Sequence, residues 1–117
     1  MKNESPTING DGGQTRDFTF VENAVQANVK SFFAEEKAIN TVYNIAYGDR
    51  ISLNLLWEQL NSFVNEKVIA NYGPDRIGDI RDSLADISKA KSNIKYNPLF
   101  SVYDGLEITY NWFKANK

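Results

Sequence analysis

The feature that most constrains this fold is a change of apolar spacing directly after a glycine-rich turn. The sequence GDGG at residues 10–13, the glycine turn, predicts a tight reversal, because glycine adopts positive φ without steric cost. Residues 15–20 then alternate polar and apolar side chains, with the period of two that is typical of a strand. From Val21 the apolar residues recur at helical spacing, which predicts an amphipathic helix over 21–34. With a short strand expected at 7–9, the chain begins as two strands followed by a helix.

The middle of the chain continues this alternation of strands and helices. The apolar, β-branched segment at 41–45 predicts a third strand. Ser52 is the expected N-cap of a second helix, whose apolar stripe reaches Val64. Gly73-Pro74 predicts a turn, and the charged segment at 77–84 after it is expected to form a strand.

The C-terminal end of the chain is expected to hold two helices. Asp86 is a candidate cap for a short helix over 87–94. Ser101 and Asp104 match a capping box, which predicts the start of a last helix over 102–115. The predicted order is therefore β-β-α-β-α-β-α-α, a small α/β fold with more helix than strand.

Apolar stripes on the three longer helices form the predicted core. The stripes consist of Val21, Ala24, Val25, Val29, Phe32 and Phe33 on the first helix, of Leu53, Leu56, Trp57, Leu60 and Val64 on the second, and of Val102, Leu106, Tyr110 and Phe113 on the last. Because each stripe recurs at helical spacing, one face of each helix is expected to be buried.

Composition limits the chemistry that the chain can perform. The 117 residues predict one small domain over 1–117, with residues 1–5 expected to be disordered. The chain has no cysteine and no histidine, which excludes disulfides, thiolate metal sites and the commonest general base. A net charge of −2 gives no general attraction to nucleic acid or to anionic membranes. No apolar run is long enough to span a membrane and no signal peptide is recognisable, so the predicted location is the cytoplasm.

Two clusters of arginine and aspartate are the candidate functional residues. Arg16 follows the glycine turn, and its guanidinium can fork onto a phosphate or diphosphate. Arg76 and Asp79 could add a second anion site and an acceptor for sugar hydroxyls. Asn9, at a strand end, could present polar groups to a planar base. The alternative interpretation is that the charges form surface ion pairs and a charged edge strand, and that Asn9 is a turn residue.

Three ordered stretches resemble a known family. They are INGDGGQTRDFTFVENAVQAN at 8–28, VYNIAYGDRISLNLL at 42–56 and RIGDIRDSLADISKAKSNIKYNPLFSVYDGLEITYNWF at 76–113. They are similar to the C-terminal half of the NAD-dependent nucleotide-sugar epimerases and dehydratases, which are extended short-chain dehydrogenase/reductase enzymes of the UDP-glucose 4-epimerase type. The first and third stretches most resemble the bacterial UDP-N-acetylglucosamine 4-epimerases of surface-polysaccharide synthesis.

The resemblance implies a role for each candidate residue. Arg16 and Arg76 would bind the diphosphate of a nucleotide sugar, and Asp79 would bond its ribose. The strand that contains Ile8-Asn9 would lie along the uracil. Asp17 would brace the local loop. The charged pair Arg16-Asp17, at the start of the strand predicted over 15–20, would then have both a binding and a structural purpose.

The family's catalytic apparatus has no counterpart in this sequence. In the family it lies in an N-terminal Rossmann domain that holds NAD, with a glycine-rich loop and a Tyr-x-x-x-Lys pair. Tyr110 and Lys114 formally fit that pair, but we reject them because Tyr110 lies on the predicted buried stripe of the last helix. The resemblance therefore implies a small, mostly helical substrate-binding lobe that lacks the Rossmann domain, has no cofactor in this chain and is inactive alone.

Two hypotheses about function stay open at this stage. In the first, the chain is the lobe of a UDP-sugar 4-epimerase, with a UDP-sugar and the Rossmann domain as its partners. In the second, it is a stand-alone interaction or regulatory module that forms a homodimer through its former interdomain face. The identity of the sugar, and epimerase against dehydratase or decarboxylase activity, are left open because the missing lobe mainly decides them.

Overall fold

The elements of the fold follow the predicted order. A computed structural model describes residues 4–116. The prediction that residues 1–5 are disordered falls outside this range for residues 1–3. In chain order the elements are β1 (Thr7–Asn9), β2 (Thr15–Arg16), α1 (Val21–Phe32), a 3-10 turn (Glu36–Ala38), β3 (Ile51–Ser52), α2 (Leu53–Ser62), β4 (Asn71–Gly73), α3 (Ser88–Asn93) and α4 (Val102–Ala115). The strands and α-helices follow the predicted sequence β-β-α-β-α-β-α-α, and no Rossmann sheet lies within the described part of the chain.

Two short sheets hold the strands. β1 pairs in parallel with β4, with Ile8 opposite Tyr72. β2 pairs antiparallel with β3, with Thr15 opposite Ser52, and an isolated parallel bridge joins Thr15 to Asp82 on its other side. The glycine turn connects the first strand of one sheet to the first strand of the other, so it lies at their junction.

Two of the predicted strands are wrong. The segment at 41–45 is irregular, and the third strand is β3 instead; the segment at 77–84 is irregular apart from the bridge at Asp82, and the fourth strand is β4. The strand preference of β-branched residues takes effect only where another strand is available for pairing. Residues 41–45 lie beside α3 instead, where Lys89 Nζ donates to the carbonyl of Val42 at 3.1 Å.

Two of the three capping predictions are confirmed. The side chain of Ser52 accepts an N–H from the first turn of α2, and Ser101 and Asp104 form the reciprocal bonds of a capping box at the start of α4. The carboxylate of Asp86 accepts the N–H of Ser88 at 2.9 Å, although the residue in the N-cap position of α3 is Ile87.

The predicted apolar stripe of α1 is exposed rather than buried. Phe32 is 83% exposed, and Val21, Val25, Val29 and Phe33 are also exposed. The buried residues of α1 are Asn23 and Ala27, so the helix turns its other face inward. The stripes of α2 and α4 are half-buried, except that Phe113 is exposed. The main core cluster contains Ala27, Ala38, Ala46, Ile87, Ala90, Ile94 and Tyr96.

The described chain is flat. Its principal extents are 51 × 36 × 17 Å and its radius of gyration is 17.0 Å. A compact domain of this length has a radius of gyration of about 13 Å. A layer this thin cannot bury both faces of its helices, which is why the apolar face of α1 has no covering element within residues 4–116.

Gly105 lets α4 approach the segment that precedes α1. It is buried, and a Cβ built on it would lie 2.8 Å from ring atoms of Phe20. We therefore expect Gly105→Ala to lower the free energy of unfolding by about 1–3 kcal/mol, although alanine is the better helix former. Urea unfolding measures this loss, with Asn111→Ala at an exposed position of the same helix as the control. A Gly105→Ala variant as stable as the control variant would contradict the expected clash.

Candidate functional site

A cleft of 340 Å³ brings together all five candidate binding residues of the sequence analysis. Its lining includes Ile8, Asn9, Arg16, Arg76 and Asp79, together with the apolar residues Leu53, Leu56, Trp57 and Leu60 from α2. The α2 residues were predicted as core, but their half-buried faces form the wall of the cleft instead. The indole N–H of Trp57 donates to the carbonyl of Val68 at 3.1 Å, which fixes the ring of this wall residue. The site therefore combines guanidinium groups with apolar side chains, of which the Trp57 ring is flat.

Arg16 is held at the cleft by groups on two segments. One of its Nη atoms donates to the carbonyl of Thr15 at 2.6 Å, and the other donates to the carboxylate of Asp79. The Arg16 side chain is 24% exposed, so the guanidinium is partly desolvated yet reachable. A guanidinium carries five N–H donors, and these contacts leave donors for an anion. The bond from Asp79 therefore orients the guanidinium of Arg16.

Asp17 joins three segments around the site. Its carboxylate accepts the backbone N–H groups of Tyr47 at 3.1 Å, of Gly48 at 3.1 Å and of Ala85 at 3.4 Å. One side chain at the end of β2 thus connects the loop before β3 to the loop before α3. The expectation that Asp17 braces the local structure is confirmed by these bonds.

The first turn of α2 holds the glycine turn in place. The N–H of Asn54 donates to the carbonyl of Gly12 at 3.0 Å, and the Asn54 side-chain amide donates to the carbonyl of Asp11 at 3.0 Å. Gly12 has φ of 71°, and a Cβ on it would lie 2.0 Å from Oδ1 of Asn54. Only glycine both adopts this positive φ without strain and lacks the Cβ that would clash with Asn54. The sequence signal for a turn therefore also marks the contact between the turn and α2.

A second ion pair closes the other side of the glycine turn. Arg81 donates to both carboxylate oxygens of Asp11, at 2.7 and 3.0 Å. The N–H of Gly13 donates to the same carboxylate at 2.8 Å. The bond from Arg81, with the smaller contribution of the Gly13 N–H, lowers the pKa of Asp11 to about 2. Sequence reasoning assigned no role to either residue of this pair.

Gln14 is the site residue that sequence reasoning missed. It is 8% exposed, and its Nε2 donates to the carbonyl of Asn9 at 2.8 Å. It lines both the 340 Å³ cleft and an adjoining polar cavity of 290 Å³ that also contacts Asp75 and Arg81. Within residues 4–116, Oε1 of Gln14 is buried without a hydrogen-bond partner. An uncharged residue next to a turn carries no pattern signal, so only its burial identifies it.

The described residues contain no candidate metal site and no candidate membrane span. Residues 4–116 hold no cluster of three or more histidine, cysteine, aspartate or glutamate side chains that could hold a metal ion. Over the same range, every helix is too short or too polar to cross a bilayer.

Sequence comparison relates the chain to part of several longer proteins. It is 33% identical over 111 residues to the UDP-glucuronate 4-epimerase of Thermodesulfobacterium geofontis, an alignment that covers 93% of this chain and 33% of that protein. A protein of Methanocaldococcus jannaschii is 33% identical over 116 residues, which is 99% of this chain and 36% of that protein. The chain thus spans about a third of the length of these relatives. No protein-family model matches it.

Solved structures show the same partial likeness. The UDP-glucuronic acid 4-epimerase of Bacillus cereus, in complex with UDP-glucuronic acid and NAD, superposes with a TM-score of 0.90 at 30% identity, over 98% of this chain and 37% of that one. The UDP-N-acetylglucosamine 4-epimerase of Methanobrevibacter ruminantium, in complex with UDP-N-acetylmuramic acid, superposes with a TM-score of 0.87 at 35% identity, over 97% of this chain and 36% of that one.

These likenesses define the class to which the fold conforms. The described residues have the fold of the C-terminal portion of extended short-chain dehydrogenase/reductase enzymes, without a Rossmann domain. Within that class, the chain resembles the NAD-dependent nucleotide-sugar epimerases, and the relatives above are UDP-sugar 4-epimerases. The resemblance indicated by the three sequence stretches is confirmed.

Proposed function

We propose that this chain is the substrate-binding lobe of an NAD-dependent UDP-sugar 4-epimerase and that it binds the nucleotide diphosphate in the 340 Å³ cleft. One observation carries the proposal most directly. Arg16 and Arg76 come from distant parts of the chain and line the same cleft as Asp79. Two guanidinium groups beside an apolar wall match a ligand that combines a diphosphate with a flat base.

Each part of the ligand has a corresponding group in the cleft. The diphosphate would bind between the guanidinium groups of Arg16 and Arg76, and the ribose hydroxyls would donate to Asp79. The uracil would lie along Ile8-Asn9, against the apolar wall of α2. Oε1 of Gln14 would become a hydrogen-bond acceptor for the nucleoside, since a buried acceptor without a partner costs about 1–3 kcal/mol.

The remaining two thirds of such an enzyme would supply the chemistry. Residues 4–116 contain no dinucleotide-binding loop and no sheet on which NAD could lie, so they do not by themselves fit this cofactor. We infer that a Rossmann domain holds NAD, covers the exposed apolar face of α1 and selects the sugar. Alone, the lobe is expected to bind UDP weakly and to catalyse nothing.

The alternative hypothesis of a self-associating module gains no support from these comparisons. Its main premise was a bare interdomain face, and the epimerase proposal assigns that face to the Rossmann domain. A homodimer and a cytoplasmic location therefore stay predictions from the sequence.

A titration of the ¹⁵N-labelled chain with UDP tests the proposed function. We expect millimolar UDP to shift the amide signals of residues 8–16 and 76–79. Arg16→Ala should weaken binding at least tenfold, because a hydrogen bond to a charged group contributes about 1.5–3 kcal/mol. Arg50→Ala is the matched control, since Arg50 is an exposed arginine that pairs with Asp82 at 3.5 Å and does not line the cleft. An unchanged spectrum at millimolar UDP, or an equal response from Arg16→Ala, would sink the proposal.

A further inference from the structure

The two segments that carry the candidate binding residues are distant in sequence. Arg16 follows the glycine turn near the start of the chain, whereas Arg76 and Asp79 lie on an irregular segment after β4. Within the 76–82 segment, the N–H of Asp79 donates to the carbonyl of Arg76 at 3.1 Å, so these two residues sit on one turn. A diphosphate site needs this turn and Arg16 to keep a constant separation. That separation depends on the few bonds between the two segments.

Thr15 supplies one connection between the segments. Its N–H donates to the carbonyl of Arg81 at 2.9 Å, and its hydroxyl donates to Asp82 at 2.7 Å. The carbonyl of Thr15 accepts the N–H of Ser83 at 3.2 Å. These bonds form a single bridge of strand type, which no second residue pair extends.

The ion pair of Asp11 and Arg81 adds a further point of attachment, besides the Thr15 bonds and the bond of Arg16 to Asp79. The guanidinium bonds both carboxylate oxygens, a planar geometry that fixes orientation as well as distance. The same carboxylate accepts the N–H of Gly13, so one side chain shapes the glycine turn and attaches it to Arg81. A Cβ on Gly13 would lie 2.5 Å from Nη2 of Arg81, which shows how closely the guanidinium covers the turn.

We propose that Asp11 and Arg81 are positioning residues, which together form a clamp that keeps Arg16 and Arg76 aimed at one ligand. This inference rests on the proposed function, because the clamp acts through the two arginines. The Arg81 and Asp11 side chains are 61% and 65% exposed, and exposed ion pairs contribute little to the stability of a fold. The clamp should therefore influence ligand binding more than unfolding.

Variants of the clamp separate positioning from stability. We expect Arg81→Gln, Asp11→Asn and Gly13→Ala each to weaken UDP binding about three- to tenfold, with nearly unchanged urea midpoints. The double variant of Asp11→Asn with Arg81→Gln should bind as weakly as either single variant, because the pair acts as a unit. Arg81→Lys keeps the positive charge but cannot donate two parallel hydrogen bonds to the carboxylate. It should therefore bind UDP more tightly than Arg81→Gln and less tightly than the native chain. Lys37→Gln is the control, since it removes an exposed ion pair with Glu35, and neither residue lines the cleft.

Carboxyl titration by ¹³C NMR reports on the clamp directly. In the native chain the pKa of Asp11 is about 2, against an ordinary value of 3.8, because Arg81 donates to its carboxylate. A carboxyl whose folded-state pKa is lowered keeps its stabilising interaction above its ordinary pKa and loses it as the pH falls through the lowered value. The ion pair should therefore survive at pH 3 and break near pH 2. In Arg81→Gln, the midpoint should move towards 3.8.

The outcomes distinguish a failed clamp from a failed proposed function. If the native chain binds UDP while Arg81→Gln and Gly13→Ala bind within twofold of it, the clamp is wrong and the proposed function stands. If the native chain does not bind UDP, the proposed function fails, and amide hydrogen exchange at Thr15 and Ser83 decides about the clamp. Faster exchange at both amides in Arg81→Gln supports the clamp; unchanged exchange overturns it.

Discussion

Replacement of Asn23 by alanine is expected to lower the free energy of unfolding by about 3 kcal/mol, since each buried polar group left without a partner costs about 1–3 kcal/mol. Asn23 is 1% exposed on the inward face of α1. Its Nδ2 donates to the carbonyl of Phe100 at 2.7 Å, and its Oδ1 accepts the N–H groups of Leu99 at 2.9 Å and of Phe100 at 3.1 Å. Alanine leaves these three backbone groups unpaired at the point where α1 meets the segment before α4.

Urea unfolding followed by circular dichroism measures this loss. Asn28→Ala is the matched control, because Asn28 is an exposed asparagine on the same helix whose side chain bonds the carbonyl of Ala24, at 3.0 Å. The control should change the free energy of unfolding by less than about 0.5 kcal/mol. A loss below about 1 kcal/mol for Asn23→Ala would contradict the argument, since at least one buried group would then have another partner.

Asp17→Ala is expected to lower the free energy of unfolding by about 2–3 kcal/mol, because hydrogen bonds to a charged group contribute about 1.5–3 kcal/mol each and water can replace part of them. The carboxylate accepts N–H groups from Tyr47, Gly48 and Ala85. Gly48 is exposed, so its N–H can turn to solvent, whereas the other two are less accessible. Loss of these bonds frees both loops that β2 holds, and Arg16 precedes Asp17 in the chain. We therefore also expect weaker binding of UDP.

Urea unfolding and the UDP titration together test this second prediction. Asp49→Ala is the control, since Asp49 is an exposed aspartate in the same loop that accepts the N–H of its neighbour Arg50, at 2.8 Å. Asp17→Asn retains an oxygen acceptor and should lose less stability than Asp17→Ala. Equal stability for Asp17→Ala and Asp49→Ala would show that the bonds of Asp17 are replaceable by water. That result would remove its bracing role.

Part of the site was predictable from sequence alone. The guanidinium of Arg16 beside the glycine turn, and the cluster of Arg76 and Asp79, indicated anion binding through side-chain chemistry. Their convergence on one cleft was implied only by the resemblance, because no local pattern relates residues so far apart. Gln14 and the pair of Asp11 and Arg81 gave no signal, since burial and pairing depend on which segments meet.

The sequence by itself determined the features that depend on residues a few positions apart. Ser52 and the Ser101–Asp104 pair begin their helices, and the glycine turn reverses the chain, because caps and turns are made by neighbours. The four α-helices also follow from local signals, whereas the third and fourth strands, at 51–52 and 71–73, formed where no local pattern predicted them.

Only the tertiary structure decided which faces and segments have partners. The spacing of Val25, Val29 and Phe32 shows that α1 is amphipathic, but the apolar face is exposed because no element of residues 4–116 covers it. Residues 41–45 have strand-forming side chains and no strand beside them. Periodicity describes one element at a time, whereas burial and pairing require a second element, and the fold alone determines which element that is.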